Sequence, residues 1–320
     1  MTTNFLKPFR LIVFPLAFAF ICYFIFGIDS FEDLFNIMSI SFIFLVPFSI
    51  GLLTVYFSDI QLIKKIRYAM LAPWISIMAF FLITLFLSLE GWACWLMILP
   101  VFLFAASLGG LIARRYRLRK YRNEKIQVSL FVLLPFLISP IERYIGDHPS
   151  IYKAYTYIDI DADKAHIWNN VTRVRGITST EDKGWLTETL GFPRPLRAEL
   201  NYNGVGGYRK AIFDKGLIFH EQVTNYSDQK FMRFTIKANP HEIPSTTMDE
   251  HVVIGGEYFD VIDGTYELER LNNKTYRLHL YSHFKLTTTF NFYAGLWADW
   301  IMKDIQNNIL QVIKQRAEDI

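Results

Sequence analysis

The sequence predicts a two-part chain: an N-terminal bundle of four or five transmembrane helices, then an α+β domain with a curved antiparallel sheet and a long C-terminal helix. Three observations carry this. Long apolar runs fill the stretch from Leu11 to about Ile141 and then stop. All seven histidines fall between His148 and His283. After about Ile151 the apolar period becomes two for several segments, then helical at the end of the chain.

Four runs are expected to span a membrane: Leu11–Ile28, Phe35–Phe57, Ala69–Leu89 and Trp92–Ala113. Each holds roughly 18–23 residues, enough for a hydrocarbon core of about 30 Å. Pro15, Pro47, Pro73 and Pro100 lie within them, which helices in lipid tolerate. None of the four carries a charged residue well inside, which argues against a pump or ion-coupled transporter. A fifth run, Ile126–Ile141, is shorter and holds Pro135 and Pro140.

Charge sets the expected orientation. Residues 1–150 carry 13 Lys+Arg against 8 Asp+Glu, while residues 151–320 carry 20 against 22. The basic excess is concentrated between Arg114 and Lys125, directly after the fourth run, where it acts as a cytoplasmic anchor that also meets anionic lipid. The amino terminus is then inside. The fifth run follows the basic cluster directly and is almost wholly apolar, so it is expected to be a fifth span that places the second domain outside the cytoplasmic membrane; with only four spans the domain is cytoplasmic. A slightly acidic domain does not suit nucleic acid. Both cysteines, Cys22 and Cys94, lie in apolar runs, so the second domain has no disulfide, cysteine-ligated zinc or cysteine nucleophile.

In the second domain Ala154–Ile160 reads as a strand, and Asp161 or Asp163 is placed to cap a helix over Lys164–Val171. The run Gly191 to Pro195 reads as an interruption. Further strands are predicted over Tyr208–Phe213, Leu217–Tyr226, Lys230–Ala238, His251–Ile254, Thr265–Leu271 and Thr275–Leu286. A helix from about Phe292 to Ala317 presents Trp297, Ile301, Ile305, Ile309, Val312 and Ile313 as its apolar stripe and is expected to cross the concave face of the sheet.

Three stretches carry a resemblance: GFPRPL (Gly191–Leu196), DEHVVIGGEYFDVIDGTYELE (Asp249–Glu269) and FNFYAGLWADWIMKDIQNNIL (Phe290–Leu310). With the order of elements, they resemble the START-like, helix-grip superfamily (SRPBCC) of polyketide cyclase/dehydrase and lipid-transfer domains, within a membrane-anchored bacterial subfamily. The resemblance covers about residues 151–320. It implies a hydrophobic or amphipathic ligand held between sheet and helix, and it transfers no catalytic residue.

Glu221 is the leading candidate residue. Strand alternation puts Leu217, Phe219, Glu221 and Val223 on one apolar face, so the carboxylate points inward. A buried carboxylate needs a partner, and Arg209 in the preceding strand has the matching parity. The pair reads either as a ligand contact or acid/base group, or as a structural ion pair. Trp297 and Tyr293 are candidates for lining the ligand site. Glu250 and His251, in an acidic stretch with Gly255 and Gly256, are candidates for its mouth, with Asp260 and Asp263 as turn caps. His279 and His283 fall among cations on the polar face of a strand and read as solvated surface rather than a zinc pair. Gly204–Gly207 reads as a hairpin turn.

The expectation is therefore a membrane-anchored domain whose partners are a lipid or apolar small molecule and the membrane. No metal, cofactor or nucleic acid is expected. A cyclase- or hydrolase-type enzyme acting on a polyketide-like or amphipathic substrate is the first alternative, and a protein-interaction or signalling module the second.

Overall fold

The computed structural model describes residues 6–120, 128–146, 148–239 and 253–319. The chain divides into two compact units, Met1–His148 with Thr288–Phe290, and Pro149–Thr287 with Asn291–Ile320.

The first unit is helical: α1 (Leu6–Phe26), a π-turn (Ser41–Leu45) running into α2 (Val46–Phe57), α3 (Ile60–Ile63), α4 (Ile66–Phe86), α5 (Trp92–Lys120) and α6 (Val128–Ile145). Among the described residues two helices, Ile66–Phe86 and Trp92–Arg119, are long and apolar enough to cross a membrane. The four or five spans expected from the sequence reduce to these two by that criterion. The apolar helices Leu11–Phe26 and Ser41–Phe57 are shorter. The second expected span starts late because its first residues form a turn. Asn36 accepts from the Met38 backbone N–H at 2.6 Å, and Ser39 donates to the Asn36 carbonyl at 2.6 Å. Of the fifth run, residues 126 and 127 lie outside the described residues.

Close backbone approach joins these helices. A Cβ at Gly51 would lie 1.9 Å from the Ala106 carbonyl oxygen, and one at Gly109 equally close to that of Phe48. Small residues at such crossings let α2 and α5 meet backbone to backbone. Part of the basic cluster has a structural task. Arg114 donates to the carbonyls of Ile63 (2.9 Å) and Lys64 (3.0 Å), and Arg117 to those of Val55 and Ser58. Both arginines thus satisfy carbonyls left open where α2 and α3 end. Glu142 of α6 accepts from the backbone N–H groups of Ile40 (2.7 Å) and Ser41 (2.9 Å), capping the π-turn.

The second unit holds β1 (Ser150–Asp161), α7 (Lys164–Thr172), α8 (Trp185–Leu190), β2 (Pro195–Leu200), β3 (Tyr208–Phe213), β4 (Ile218–Ser227), β5 (Phe231–Ala238), β6 (Phe259–Arg270), β7 (Thr275–Leu286) and α9 (Asn291–Glu318). The strands form one antiparallel sheet in the order β1-β7-β6-β5-β4-β3-β2. Strands β2 to β7 meander, and β1 returns to pair with β7 from Ser150↔Leu286 to Asp161↔Thr275. Helix α9 packs on β1 and β7, with α7 and α8 against it. A curled antiparallel sheet closed by a C-terminal helix is a helix-grip layout.

Three local features depart from the sequence reading. Strand β2 begins at Pro195, where an interruption was expected; as the sheet's terminal strand it tolerates a first residue without an N–H. Helix α8 has only six residues, and its start is capped from afar: Asp304 of α9 accepts from the Thr187 N–H and hydroxyl, each at 2.9 Å. It ends at Gly191, whose φ of +71° is left-handed. Asp163 has the extended backbone of an N-cap for α7 but makes no side-chain cap bond, while Asp161 accepts instead from the Thr275 hydroxyl.

The seat of α9 is also rotated from expectation. Gly295, Met302, Gln306, Asn308, Leu310, Val312, Ile313 and Ala317 are buried, so Val312 and Ile313 lie inward as expected, whereas Trp297, Ile301, Ile305 and Ile309 are half-buried. The polar Gln306 defines the buried face. It accepts from the Thr156 hydroxyl at 3.0 Å and donates to Ser282 Oγ at 3.2 Å, fixing α9 to β1 and β7. A hydrophobicity pattern cannot register a buried glutamine whose bonds are supplied by the sheet.

Candidate functional site

Strands β3 and β4 pair so that Arg209 stands opposite Glu221. Both side chains point to the concave face of the sheet and are almost fully buried, Arg209 at 4% and Glu221 at 3% exposure. An Arg209 Nη1–Glu221 Oε2 ion pair joins them. The parity that put Glu221 inward with Leu217 and Val223 holds, since both flanking residues are buried.

The surroundings are mostly apolar and aromatic. The guanidinium lies 5.3 Å from the ring centroid of Phe234 and 5.9 Å from that of Tyr266. Gly264 makes room for the Phe234 ring: a Cβ there would lie 2.7 Å from two of its atoms. Phe219, two residues before Glu221, packs its ring 4.8 Å from that of Phe213.

Burial pushes the Glu221 carboxyl above the usual glutamate value, although Arg209 opposes the rise. Burial works against the Arg209 charge, but Glu221 and Tyr266 more than offset it, so the guanidinium stays protonated. The Tyr266 phenol is raised by burial. Arg209 Nε is buried without a hydrogen-bond partner among the described residues. A buried unpaired donor costs roughly 1–3 kcal/mol, so an acceptor brought to it would recover that penalty. The arrangement can orient a polar head group within an apolar interior, and its carboxyl can hold a proton.

The remaining candidates are not part of this cluster. Trp297 stacks on Trp300 at 5.5 Å, and Trp300 meets Trp185 of α8 at 5.7 Å. Tyr293 is half-buried beside Trp297 on the same helix, and burial raises its phenol. Helix α9 packs on β1 and β7, whereas Glu221 lies on β4, three strands beyond β7. At about 4.8 Å per strand that separation is about 14 Å along the sheet. Glu250 and His251 lie outside the described residues. Of the predicted strand His251–Ile254, the described part shows only an isolated bridge between Ile254 and Phe259.

The places of Tyr266 and Asp263 are not legible in the sequence. Tyr266 joins the cluster because β5 and β6 pair Met232 with Tyr266 and turn both inward, a relation set by long-range register. Asp260 and Asp263 were expected to cap turns. Both lie instead in β6, where a bulge between Val261 and Asp263 turns Asp263 toward Arg233 (2.6 Å) and His283 (2.7 Å). Burial alone would raise the Asp263 carboxyl, but these two partners hold it below the usual aspartate value.

The histidines of β7 are likewise not simply solvated. Tyr155 and Glu269 lie 2.7 and 3.1 Å from the His279 ring nitrogens, and Asp263 engages His283. Neighbouring strands supply these partners: Asp263 stands opposite His283, whereas Tyr155 and Glu269 reach His279 diagonally, each two residues from the position opposite it. Among the described residues, no group of three or more His, Cys, Asp or Glu is placed to hold a metal ion.

No family model matches the chain, and no curated protein matches it in sequence. Among solved structures it is similar to a START superfamily protein from Mycobacterium smegmatis, with 7% identity and a TM-score of 0.34 over 52% of this chain and 97% of that one. It is also similar to an aromatase/cyclase from Streptomyces, with 12% identity and a TM-score of 0.33 over 53% and 94%. A third likeness is to truncated norcoclaurine synthase from Thalictrum flavum, with 10% identity and a TM-score of 0.30 over 52% and 95%. These scores are low, and the helix-grip layout stands on the strand order and the seat of α9.

Proposed function

We propose that this chain is a membrane-anchored protein whose helix-grip domain binds a hydrophobic, lipid-like molecule carrying one polar group. The observation that carries the reading is the buried Arg209–Glu221 pair, with Tyr266 beside it and the donor at Arg209 Nε unpartnered among the described residues. An interior of this kind favours an apolar body with an acceptor at one end. Anchoring is supported by the length and composition of α4 and α5. It is also supported by the shorter apolar helices beside them and by the basic cluster after α5. In this reading the helical unit is a bundle with its amino terminus inside the cell.

Full-length protein, extracted in mild detergent and analysed by native mass spectrometry, tests the binding claim. A discrete apolar ligand released on denaturation is expected; a homogeneous ligand-free species that takes up no added lipid contradicts it. A reporter fused after Ile320 reads the side of the membrane. Activity restricted to the cytoplasm would place the domain inside and reduce the expected spans to four.

The raised carboxyl of Glu221 favours a second reading, general acid catalysis on the bound molecule. That reading requires Glu221→Gln to keep both fold and ligand while abolishing turnover.

A further inference from the structure

Three large apolar residues of α9 are left facing solvent. Phe292, Leu296 and Trp300 are 75%, 68% and 46% exposed, and their spacing of four places them on one stripe. Trp185 of α8, 57% exposed, extends the stripe by its edge contact with Trp300. Apolar groups of this size clustered on a surface mark an interaction site rather than random exposure.

Two facts about its position point to the occupant. The stripe begins at the end of the domain where the chain arrives from the apolar helices. Asn291 Nδ2 donates to Ser150 Oγ at 3.2 Å, and the Tyr152 hydroxyl donates to the Asn291 carbonyl at 3.2 Å, so the first turn of α9 is pinned to the start of β1. Only four residues separate β1 from the end of α6 at Ile145, a reach of about 18 Å when extended. In addition, no charged residue occurs from Thr287 to Ala298, so this segment can leave water without burying a charge.

We propose that the Phe292–Leu296–Trp300 stripe, with Trp185, rests in the interfacial layer of the lipid bilayer. The inference builds on the membrane reading above and adds which face of the domain meets lipid. Tryptophan favours the membrane–water interface, where an apolar ring and a polar N–H are both accommodated. A second copy of the chain fits less well, because a stable dimer buries roughly 20–30 residues a side and the stripe offers four.

The test uses the full chain in phosphatidylcholine vesicles, with Cys22→Ala and Cys94→Ser removing the native thiols. One cysteine is then placed by Leu296→Cys and labelled with an environment-sensitive fluorophore; Tyr202→Cys, on an exposed loop, is the aqueous control. The label at 296 is expected to emit to the blue of the control. It should be quenched several-fold more strongly by lipid-attached nitroxide than by aqueous iodide, and Trp185→Cys should repeat the pattern if the first variant misfolds. Equal quenching at 296 and 202, with the chain still resisting alkaline extraction, overturns the stripe proposal alone. Alkaline extraction of the whole chain overturns this proposal and the membrane reading together. A blue shift that persists in detergent and grows with protein concentration identifies a second copy as the occupant and overturns the lipid assignment.

Discussion

Arg209 on β3 and Glu221 on β4 face each other across adjacent strands and form an ion pair in the interior of the sheet domain. Removing one partner leaves the other charge buried and uncompensated, a loss of about 3–5 kcal/mol. Glu221→Leu and Arg209→Met should therefore each lower the denaturation midpoint sharply. The double variant should recover most of the loss, because apolar side chains of similar volume replace the pair. Denaturant titration of the three variants reads this directly; equal loss in all three would show that packing, rather than charge, sets the cost.

Gln306 makes the polar seat of α9, bonded to Thr156, Ser282 and the Ala154 carbonyl. Gln306→Leu leaves the buried Ser282 hydroxyl without the donor Gln306 supplies, at about 1–3 kcal/mol, while Thr156 keeps its bond to the Leu280 carbonyl. Hydrogen exchange along β1 and β7 should accelerate in this variant before the rest of the sheet responds. Unchanged protection there would mean that α9 is held by its apolar contacts alone.

The acid limb of stability should involve Glu181. Its hydrogen bond with Arg316 holds the carboxyl down at about 2, well below the usual glutamate value near 4.5. A depressed folded-state value stabilises the domain above the unfolded value. That contribution is lost as pH falls from the usual glutamate value toward about 2. Thermal melts should therefore show an added decline over that window, which Glu181→Gln removes while lowering the plateau near neutrality. A wild-type acid limb retained in full by Glu181→Gln would assign it to other carboxylates.

In the helical unit, Gly51 and Gly109 set the distance between α2 and α5. Gly109→Val should force the helices apart, since a Cβ there would lie 1.9 Å from the Phe48 carbonyl oxygen. A marked fall in thermal stability in detergent is expected, while Gly146→Ala, with open space around it, should have a much smaller effect despite its positive φ. Equal effects would place the penalty in backbone conformation rather than in helix contact.

Most strands of the second unit are legible in the sequence because their alternation is regular: Tyr208–Phe213 and Thr275–Leu286 match β3 and β7 end to end. The same alternation turns Glu221 inward and selects Arg209 as its partner. Features determined at long range are the ones it misses. Helix α8 depends on Asp304, more than a hundred residues away in sequence, and Tyr266 enters the site through the pairing of β5 with β6. The rotation of α9 follows from Gln306, a polar residue whose burial depends on bonds to two strands. The spacing of Trp297 puts it in the apolar stripe of α9, whereas its ring lies with Trp300 and Trp185 near α8. In the helical unit, composition located the apolar runs, but side-chain capping at Asn36 and Ser39 shortened one of them.

The most direct test compares ligand bound to full-length wild type with ligand bound to the Arg209→Met, Glu221→Leu double variant, which should stay folded. Mass spectrometry of material released from equal amounts of detergent-purified protein should find the wild-type ligand depleted at least several-fold in the double variant, with unchanged circular dichroism. The same ligand at the same occupancy in both proteins would show that the buried pair is only structural and would contradict its role as the polar anchor of the site.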